Sequence, residues 1–296
     1  MTPSAVPLVS IIMPVMNAAH TLPATLRSIR WQTHADWELI LIDDGSIDAT
    51  WQLIRAASAG DARIRAVEGG ANAGLAARLN QAIDLARGSY IARMDADDVA
   101  YPQRFATQVE FLLEHPECDL VGASALFFDN DGMVRGRFIR SATHEEICAA
   151  PWVGFPLPHP TWMGRRIWFE RYRYRAGFKK AEDFDLLLRS YRYSRFACLP
   201  DILLGYRQDS RTLKKLLGGR RYTARAIIDA AREQGAWLAG AAALAGQGAK
   251  AVADVLAVPL GLDARLRGEA AAAVTPAEQQ AWHAVWRAVT AEDQMQ

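Results

Sequence analysis

The first hundred residues alternate short apolar runs with segments whose apolar residues recur at helical spacing. Apolar runs containing β-branched residues predict strands at positions 8–13, 37–42, 63–67 and 90–94. Helical spacing predicts helices in the segments between them, at positions 21–31, 46–57 and 75–86. This alternation is typical of an α/β fold with a mainly parallel sheet that helices cover on both faces.

Acidic residues follow the second and the fourth predicted strand, at the point where each strand ends. Asp43 and Asp44 come directly after the second strand, and Asp95, Asp97 and Asp98 follow the fourth. Because ligands of open parallel sheets bind outside the carboxyl ends of the strands, the two clusters predict one site at that edge.

Three carboxylates within four positions repel each other unless a cation or a hydrogen-bond donor neutralises them. Oxygen ligands at the end of a strand suit Mg²⁺ or Mn²⁺, and such an ion can hold a substrate diphosphate. The alternative is a solvated acidic turn in which an aspartate caps a helix beginning near Tyr101 and Pro102. For Asp44, the alternative is the ordinary turn and helix-cap role of an Asp-Gly-Ser sequence.

Composition describes an ordinary globular chain of one large domain, or of one domain with an appendage. The 296 residues are 51% hydrophobic and 23% charged, which allows a sizeable core. The charges of the 34 basic and 33 acidic residues nearly cancel, so the net charge does not indicate a nucleic acid partner. Cys118, Cys148 and Cys198 fit buried thiols in a reducing cytosol better than disulfides or a zinc site. Residues 1–7 lack the pattern of a signal peptide, so we expect a cytoplasmic location.

Several motifs, in one order and spacing, resemble those of the family 2 glycosyltransferases. The strongest are Val9–Asn17, Ile40–Thr50, Asn72–Gly74 and Ala92–Asp98. Further matches are Pro102–Arg104, Gln108–Pro116, Val121–Gly122, His159–Met163 and Glu182–Arg189. The resemblance implies a GT-A domain with a Rossmann-like sheet over residues 1–209, divided into a nucleotide-sugar half at 1–100 and an acceptor half at 101–209. A helical C-terminal extension then occupies residues 210–296.

The resemblance also implies a nucleotide-diphosphate sugar donor, usually a uridine diphosphate sugar, with Mn²⁺ or Mg²⁺ and inversion at the anomeric carbon. It assigns nucleotide binding to Pro14, Val15, Asn17, Asp44 and Asp95. Within that set, Asp44 would bind the base and Asp95 would lie near the ribose. It assigns the metal to Asp97, with Asp95 and Asp98 as further candidate ligands.

An inverting enzyme needs one base to take the proton of the acceptor hydroxyl, and Asp183 resembles the base of the family. Glu182 resembles its supporting or acceptor-binding neighbour, at the start of a helix predicted at 181–189. Without the resemblance, both acids would be explained by the preference for acidic residues in a first helical turn.

Two further positions are candidates for acceptor or phosphate contacts. His159 lies in a Pro-His-Pro sequence that the family often has, so it is a candidate lining residue and a weaker candidate for the metal. Many relatives have a histidine where this chain has Asp209. We therefore expect Arg207, or the basic residues after Ser210, to bind phosphate in its place.

Two regions outside these motifs suggest other partners. The segment Arg165–Arg175 mixes five arginines with four aromatic residues, and could hold a glycan, an anionic lipid headgroup or a nucleic acid, or form a solvated surface. Balanced net charge disfavours nucleic acid. After about Ser210 the chain is basic and then rich in Ala and Leu, which predicts packed or membrane-surface helices rather than a membrane span. Because many family 2 relatives act on lipid-linked acceptors, we expect these helices to contact the inner membrane leaflet.

Other nucleotide-binding classes are disfavoured by missing motifs. A dinucleotide oxidoreductase needs a Gly-x-Gly-x-x-Gly turn where this chain has Pro14–Asn17, and a phosphate-cradling hydrolase needs a Gly-Lys-Ser/Thr loop that the chain lacks. The glycine-rich loop of the sugar nucleotidyltransferases is also missing. We therefore expect sugar transfer to a glycan or glycolipid in cell-surface polysaccharide or glycoconjugate synthesis. The remaining alternative is a non-catalytic module that binds a sugar nucleotide or glycan.

Overall fold

The computed structural model describes residues 7–208, 212–260 and 273–291, so the prediction made for Asp209 falls outside the described residues. In these ranges one sheet contains the strands β1 (Val9–Val15), β2 (Trp37–Asp43), β3 (Ile64–Glu68), β4 (Tyr90–Arg93), β5 (Val99–Ala100), β6 (Leu120–Phe128), β7 (Val134–Phe138), β8 (Met163–Arg165) and β9 (Phe196–Arg207). The strand order is β3-β2-β1-β4-β8-β6-β9-β5, and β7 pairs with β6 beside this path.

Helices cover the sheet and continue beyond it. They are α1 (Leu22–Arg30), α2 (Thr50–Gly60), α3 (Leu75–Leu85), α4 (Arg104–Glu114), α5 (His144–Ile147), α6 (Arg166–Arg171), α7 (Glu182–Ser190), α8 (Leu213–Gln234), α9 (Trp237–Ala257) and α10 (Pro276–Thr290). Short 3-10 turns occur at His159–Thr161, Tyr191–Tyr193 and Val258–Leu260. In the described part of the chain, no helix has the combination of length and apolar sequence that crossing a bilayer requires.

The first half of the sheet is parallel, as predicted. Strand β1 pairs in parallel with β2 and β4, and β2 pairs in parallel with β3. Successive residues of β1 face opposite sides, so that Ile11 and Met13 pack in one hydrophobic core while Ile12 packs with Ile40 in a second core. Burial on both faces explains the continuous apolar runs of these strands. The predicted α/β architecture is confirmed.

The second half of the sheet is mixed and was not predicted strand by strand. Strand β8 is inserted between β4 and β6 and is antiparallel to both, whereas β6 and β9 are parallel to each other. Strands β5 and β8 are two and three residues long, which is too short for a period-two pattern to be recognised. Their pairing depends on distant residues of β9 and β4 that no local pattern reveals.

The predicted helix near Tyr101 begins later than expected. The residues before it form β5, which pairs with β9, so that α4 starts at Arg104. Gln103 precedes this helix, and its side chain makes no capping hydrogen bond. The alternative in which an aspartate of the acidic turn caps this helix is therefore wrong.

The last described helix, α10, packs back onto the edge of the sheet. Trp282 is fully buried, and its ring centroid lies 4.6 Å from that of Phe128 and 6.2 Å from that of Tyr101. The indole N–H of Trp282 donates a hydrogen bond to the carbonyl oxygen of Gly132 at 2.8 Å. Val289 is also fully buried in this cluster. Helix α10 therefore packs as part of the hydrophobic core at this edge of the sheet.

We expect Trp282→Ala to lower the free energy of unfolding by about 3–5 kcal/mol, because it removes a fully buried aromatic side chain and its hydrogen bond. Trp237 is 60% exposed on α9 and provides a matched control. Urea unfolding of Trp237→Ala should shift by less than about 1 kcal/mol. Equal losses in the two variants would contradict the anchoring role of α10.

Candidate active site

The loops after β1 and β4 line a cavity of about 470 Å³ at the carboxyl end of the parallel strands, which we call the acidic cavity. Its lining consists of Pro14, Met16, Asn17, Ala18, Thr21, Asp95, Ala96, Asp97, Asn130 and Arg207. Val15 lies behind this surface, where its side chain is part of the hydrophobic core. Residues that the sequence placed at separate strand ends thus meet at one cavity.

Asn17 fixes the loop after β1 against the loop after β2. Its backbone is left-handed, with φ of 50°, a conformation that asparagine tolerates better than most residues. Its side-chain oxygen accepts a hydrogen bond from the N–H of Ile47, and its own N–H donates to Oγ of Ser46, both at 2.9 Å. These bonds set the shape of the cavity wall at Asn17.

The three acidic residues after β4 form a compact cluster. Asp95, Asp97 and Asp98 each offer one carboxylate oxygen within 4.8 Å of the other two. Asp98 is fully buried, and its Oδ1 accepts a hydrogen bond from the N–H of Arg207 at 2.9 Å. Its Oδ2 has no hydrogen-bond partner among the described residues. A solvated acidic turn is therefore the wrong description of this segment.

The cluster fits a hard divalent cation. Burial and the charge of Asp95 raise the pKa of Asp97 to about 6, and burial with the charges of both neighbours raises the pKa of Asp98 well above its usual range. Clustered carboxylate oxygens are ligands that Mg²⁺ and Mn²⁺ prefer. Asp95, Asp97 and Asp98 would hold such an ion, which would also satisfy the partnerless oxygen of Asp98.

A buried arginine that sequence reasoning missed balances part of this negative charge. Arg93 is 3% exposed, and its Nη1 donates to Oδ2 of Asp95 at 2.6 Å. Burial raises the pKa of Asp97, Glu182 and Asp183, and the charge of Arg93 opposes that rise in each case. The signal that could have found it is its position, at the end of a buried strand and directly before the acidic turn.

Arg207 lies across the acidic turn and is supported by aromatic rings. Its Nε donates to the carbonyl oxygen of Asp97 at 2.9 Å, and its Nη1 donates to Oδ1 of Asn130 at 3.2 Å. The guanidinium carbon lies 4.6 Å from the ring centroid of Phe128 and 5.7 Å from that of Trp286 in α10. This position brings a cation to the lining of the acidic cavity.

Asp44 is 4% exposed and is held by the loop that precedes α3. Its Oδ1 accepts from Nε of Arg78 at 2.7 Å and from the N–H of Ala73 at 2.8 Å, while Oδ2 accepts from the N–H of Gly74 at 2.9 Å. A carboxylate has about four acceptor positions, so Oδ2 keeps the capacity for a further donor such as a base N–H. The structure thus gives Asp44 a loop-holding role that is compatible with the predicted contact to a base.

A second cavity, of about 320 Å³, begins at the start of α7 and is lined by Asp183. The neighbouring Glu182 is buried, and burial with the charge of Asp183 raises its pKa to about 7. Burial also raises the pKa of Asp183. Asp185 differs from both, because it is fixed by ion pairs with Arg189 at 2.9 Å and Arg175 at 3.4 Å.

His159 lies next to Glu182. Among the described residues, it is not part of the acidic group that could hold a metal. Its Nε2 is 2.8 Å from the hydroxyl oxygen of Tyr174, and its Nδ1 is 3.7 Å from Oε1 of Glu182. Burial and the charge of Arg93 lower the pKa of His159 well below its usual range. The separation of 3.7 Å from Glu182 is longer than a hydrogen bond, so His159 packs beside Glu182 while its ring bonds Tyr174.

The arginine-rich segment 165–175 is largely engaged in contacts within the chain. Arg165 donates to the carbonyl oxygens of Cys118 and Leu112, and Arg175 pairs with Glu233 at 2.5 Å. These contacts favour the alternative of a structural surface over the glycan, lipid or nucleic acid site that the segment suggested.

Comparison with known proteins agrees with the geometry of the acidic cavity. The family model "Glycosyl transferase family 2" matches residues 10–173, which is more than half of the chain. The chain belongs to this family. A putative glycosyltransferase of Bacillus subtilis, EpsE, is 37% identical over 215 residues, covering 71% of this chain and 76% of EpsE.

Another relative is an Escherichia coli UDP-Glc:alpha-D-GlcNAc-diphosphoundecaprenol beta-1,3-glucosyltransferase, WfgD. It is 33% identical over 132 residues, covering 45% of this chain and 51% of WfgD. Solved structures of Staphylococcus aureus TarS 1-349 with UDP-GlcNAc and of the Pyrobaculum calidifontis mannosyltransferase PcManGT with GDP-Man and Mn²⁺ superpose with TM-scores of 0.60 and 0.61. They are 18% and 19% identical, cover 95% and 96% of this chain, and span 81% and 86% of their own lengths. The predicted GT-A fold is confirmed.

We expect Mn²⁺ to raise the melting temperature of this family 2 glycosyltransferase by at least about 2–4 °C at pH 8. In the folded protein, the pKa of Asp97 is raised to about 6. The metal-free protein therefore loses stability as the pH rises towards and through 6. At pH 8 Asp97 is ionised, and the repulsion between its carboxylate and that of Asp95 is complete. A smaller Mn²⁺ effect is expected at pH 5, where protons compete for the carboxylates. Differential scanning fluorimetry measures both shifts.

Asp97→Asn should abolish the Mn²⁺ effect at pH 8 while leaving the metal-free melting temperature equal or higher, because a repelled charge is removed. Asp36→Asn is the control, since Asp36 is exposed before β2 at the opposite end of the strands. A Mn²⁺ response that persists in Asp97→Asn would rule out this cluster as the metal site.

Proposed function

We propose that this glycosyltransferase moves a sugar, with inversion, from a nucleotide-diphosphate sugar to a hydroxyl group of a glycan or glycolipid acceptor. The proposal rests on one observation, namely that carboxylates lie at two different cavities. Asp95, Asp97 and Asp98 cluster at the acidic cavity, while Asp183 lines a separate cavity at the start of α7. One group suits a diphosphate with its cation, and the other suits a reacting hydroxyl.

The donor is proposed to be a uridine diphosphate sugar bound with Mn²⁺ or Mg²⁺. Support comes from WfgD, whose name specifies UDP-Glc, and from TarS, which was solved with UDP-GlcNAc. PcManGT was solved with GDP-Man and Mn²⁺, so a guanosine carrier is the alternative. A divalent cation at the acidic cluster would stabilise the charge that develops on the diphosphate leaving group.

The chain's own residues are proposed to hold the donor by its two ends. Asp44 accepts an N–H of the base while Pro14 and Asn17 form the wall beside the nucleoside. Asp95 lies near the ribose, and Arg207 faces the diphosphate from the lining of the acidic cavity. Val15 supports this wall from the hydrophobic core.

Asp183 is proposed to remove the proton of the acceptor hydroxyl as that oxygen attacks the anomeric carbon. Burial raises the pKa of Asp183, which brings its basicity closer to the range that favours proton transfer near neutral pH. Glu182 binds or orients the acceptor, and His159 packs beside it. Single displacement with one base gives inversion of the anomeric configuration.

We expect Asp183→Asn to lower the rate of sugar transfer by about 10²–10⁴-fold while the dissociation constant of the donor stays unchanged. Titration calorimetry with nucleotide-diphosphate sugars and an assay of released nucleoside diphosphate separate the two effects. Asp36→Asn is the matched control. If the protein were a non-catalytic binding module, the wild-type protein would bind the donor without turnover. Sugar transfer that persists in Asp183→Asn would exclude Asp183 as the base.

The same assay has a predicted pH dependence. Because Asp183 acts only as a carboxylate and its pKa is raised, the rate falls as pH drops through that raised value, above the usual range of an aspartate. Arg93 opposes the rise in pKa, so Arg93→Gln should move the acid limb of the profile to higher pH, and Arg93→Lys should move it less.

We further propose that the C-terminal helices make a peripheral contact with the inner membrane leaflet. Helix α9 turns its apolar side chains outward, with Trp237, Leu238, Val252 and Leu256 between 60% and 90% exposed. Beside it on α8, the exposed side chains include Lys214, Arg221 and Arg232, whose spacing places them on one helix face. An apolar face next to a row of cations suits the surface of an anionic bilayer.

We expect the wild-type protein to float with vesicles of phosphatidylcholine and phosphatidylglycerol, and to float less at high salt. The double variant Leu238→Glu and Leu256→Glu should reduce binding by at least about tenfold, because two exposed leucines lose their insertion energy. Leu113→Glu, at a 55% exposed leucine of α4, is the matched control. If the wild-type protein did not bind the vesicles, the membrane contact would be contradicted. It would also be contradicted if the wild-type protein formed a dimer that only the double variant disrupts.

A further inference from the structure

The cavity that begins at Asp183 extends to two helices that the family model does not cover. Arg220 and Thr223 of α8 and Gln247 of α9 line it, together with the rings of Phe155 and Phe184. The family model matches residues 10–173, so neither the motifs nor the comparisons assign a role to this wall. The question is what chemistry the wall offers to a molecule placed against Asp183.

Helix α9 turns Gln247 and Asp254 towards the protein, whereas its exposed side chains are mainly apolar, with Lys250 as an exception. Gly240, Gln247 and Asp254 are buried and recur every seven residues, so they share one face of the helix. Nε of Arg220 lies 2.5 Å from Oδ2 of Asp254, and its Nη1 donates to Oε1 of Gln247 at 3.2 Å. Burying such groups costs free energy unless they have partners, and the bonds between Arg220, Asp254 and Gln247 provide these partners.

The close approach of α9 to α8 keeps these polar groups in place. A Cβ atom at Gly240 would lie 2.6 Å from Cβ of Ala231, so only glycine allows this spacing. Asp254 in turn orients the guanidinium of Arg220, and Arg220 orients the amide of Gln247. The wall is therefore built by side chains whose directions are fixed in advance.

The lining has the composition of a site for a sugar ring. Phe155 and Phe184 lie with their ring centroids 6.1 Å apart and present apolar surface to the C–H face of a pyranose. Thr223, Gln247 and Asp183 offer groups that bond hydroxyls. The volume of about 320 Å³ is at the lower end of ligand pockets, which suits a single sugar unit.

The charge of the lining distinguishes between classes of sugar. The positive charge of Arg220 is balanced by Asp254, while Asp183 adds negative charge to the opposite wall. A uronate or phosphorylated sugar would meet net repulsion there, whereas a neutral hexose would not.

We propose that Thr223 and Gln247 form a subsite that binds a neutral hexose unit of the acceptor beside Asp183, with the amide of Gln247 held by Arg220. This inference rests on the proposed function, because it takes Asp183 to face the acceptor. The hydroxyl of Thr223 donates to the carbonyl oxygen of Gly219 at 3.2 Å, so its oxygen can accept a hydrogen bond from a sugar hydroxyl. Helices α8 and α9 thereby determine which acceptor the enzyme accepts.

The test uses the 296-residue chain with UDP, Mn²⁺ and a panel of methyl glycosides of glucose, galactose, mannose, N-acetylglucosamine and glucuronic acid. Saturation-transfer NMR measures glycoside binding, and titration calorimetry measures binding of UDP separately. We expect a neutral glycoside to bind and the glucuronide to bind more weakly. Thr223→Val should weaken binding of the neutral glycoside by at least about fivefold, and Thr223→Ser should restore it.

Thr290→Val is the matched control, because the Thr290 hydroxyl makes the same bond to a carbonyl one turn earlier, on α10. Gln247→Leu provides a second variant of the subsite, and melting temperatures identify variants that fail to fold. Binding of no neutral glycoside, equal binding in Thr223→Val, or preference for the glucuronide would overturn the subsite. Failure of the wild-type protein to bind UDP would instead overturn the proposal that the donor is a uridine diphosphate sugar. Glycoside binding that depends on Thr223 would still support the subsite.

Discussion

Carboxylates of both cavities depend on the positive charge of one buried side chain. Arg93 bonds Asp95 directly, and its charge opposes the effect of burial on the pKa of Asp97, Glu182 and Asp183. Burying this many acids without a counter-charge would favour their protonated forms and remove the groups that the chemistry requires. Because Arg93 ends β4, the central sheet holds this charge at a fixed point beside the acidic turn.

A second buried arginine fixes the geometry around that point. Nη2 of Arg104 donates to the carbonyl oxygens of Arg93 and Pro160, both at 2.8 Å, and so joins the end of β4 to the turn that contains His159. Burial lowers the pKa of Arg104 to about 9. Gln108, one turn later on α4, donates to the carbonyl oxygen of Thr161 at 2.7 Å. These contacts give Arg104 and Gln108 a structural role next to the acidic turn.

The parallel half of the sheet could be predicted because β1, β2 and β4 are apolar runs buried on both faces, and because helices follow β1, β2 and β3 along the chain. The acidic clusters could be located for the same reason, since the ends of neighbouring parallel strands meet at one edge. The Arg78 partner of Asp44 and the insertion of β8 could not be predicted, because each depends on contacts between distant segments. Arg93 was missed although its position directly before the acidic turn is visible in the sequence. The bonds of Arg220 to Gln247 and Asp254 were missed because the polar residues of an apolar helix are expected to face outward, as Lys250 does, whereas Gln247 and Asp254 face inward.

The return of α10 to the sheet has a consequence for synthesis of the chain. Trp286 supports the guanidinium of Arg207, and Trp282 fills the space beside β9, yet both follow Arg207 by more than seventy residues. A nascent chain can form the parallel sheet while α10 is still inside the ribosome, but the wall of the acidic cavity around Arg207 then lacks its backing. The wall of the acidic cavity at Arg207 therefore forms late, after α8 and α9 have already left the ribosome.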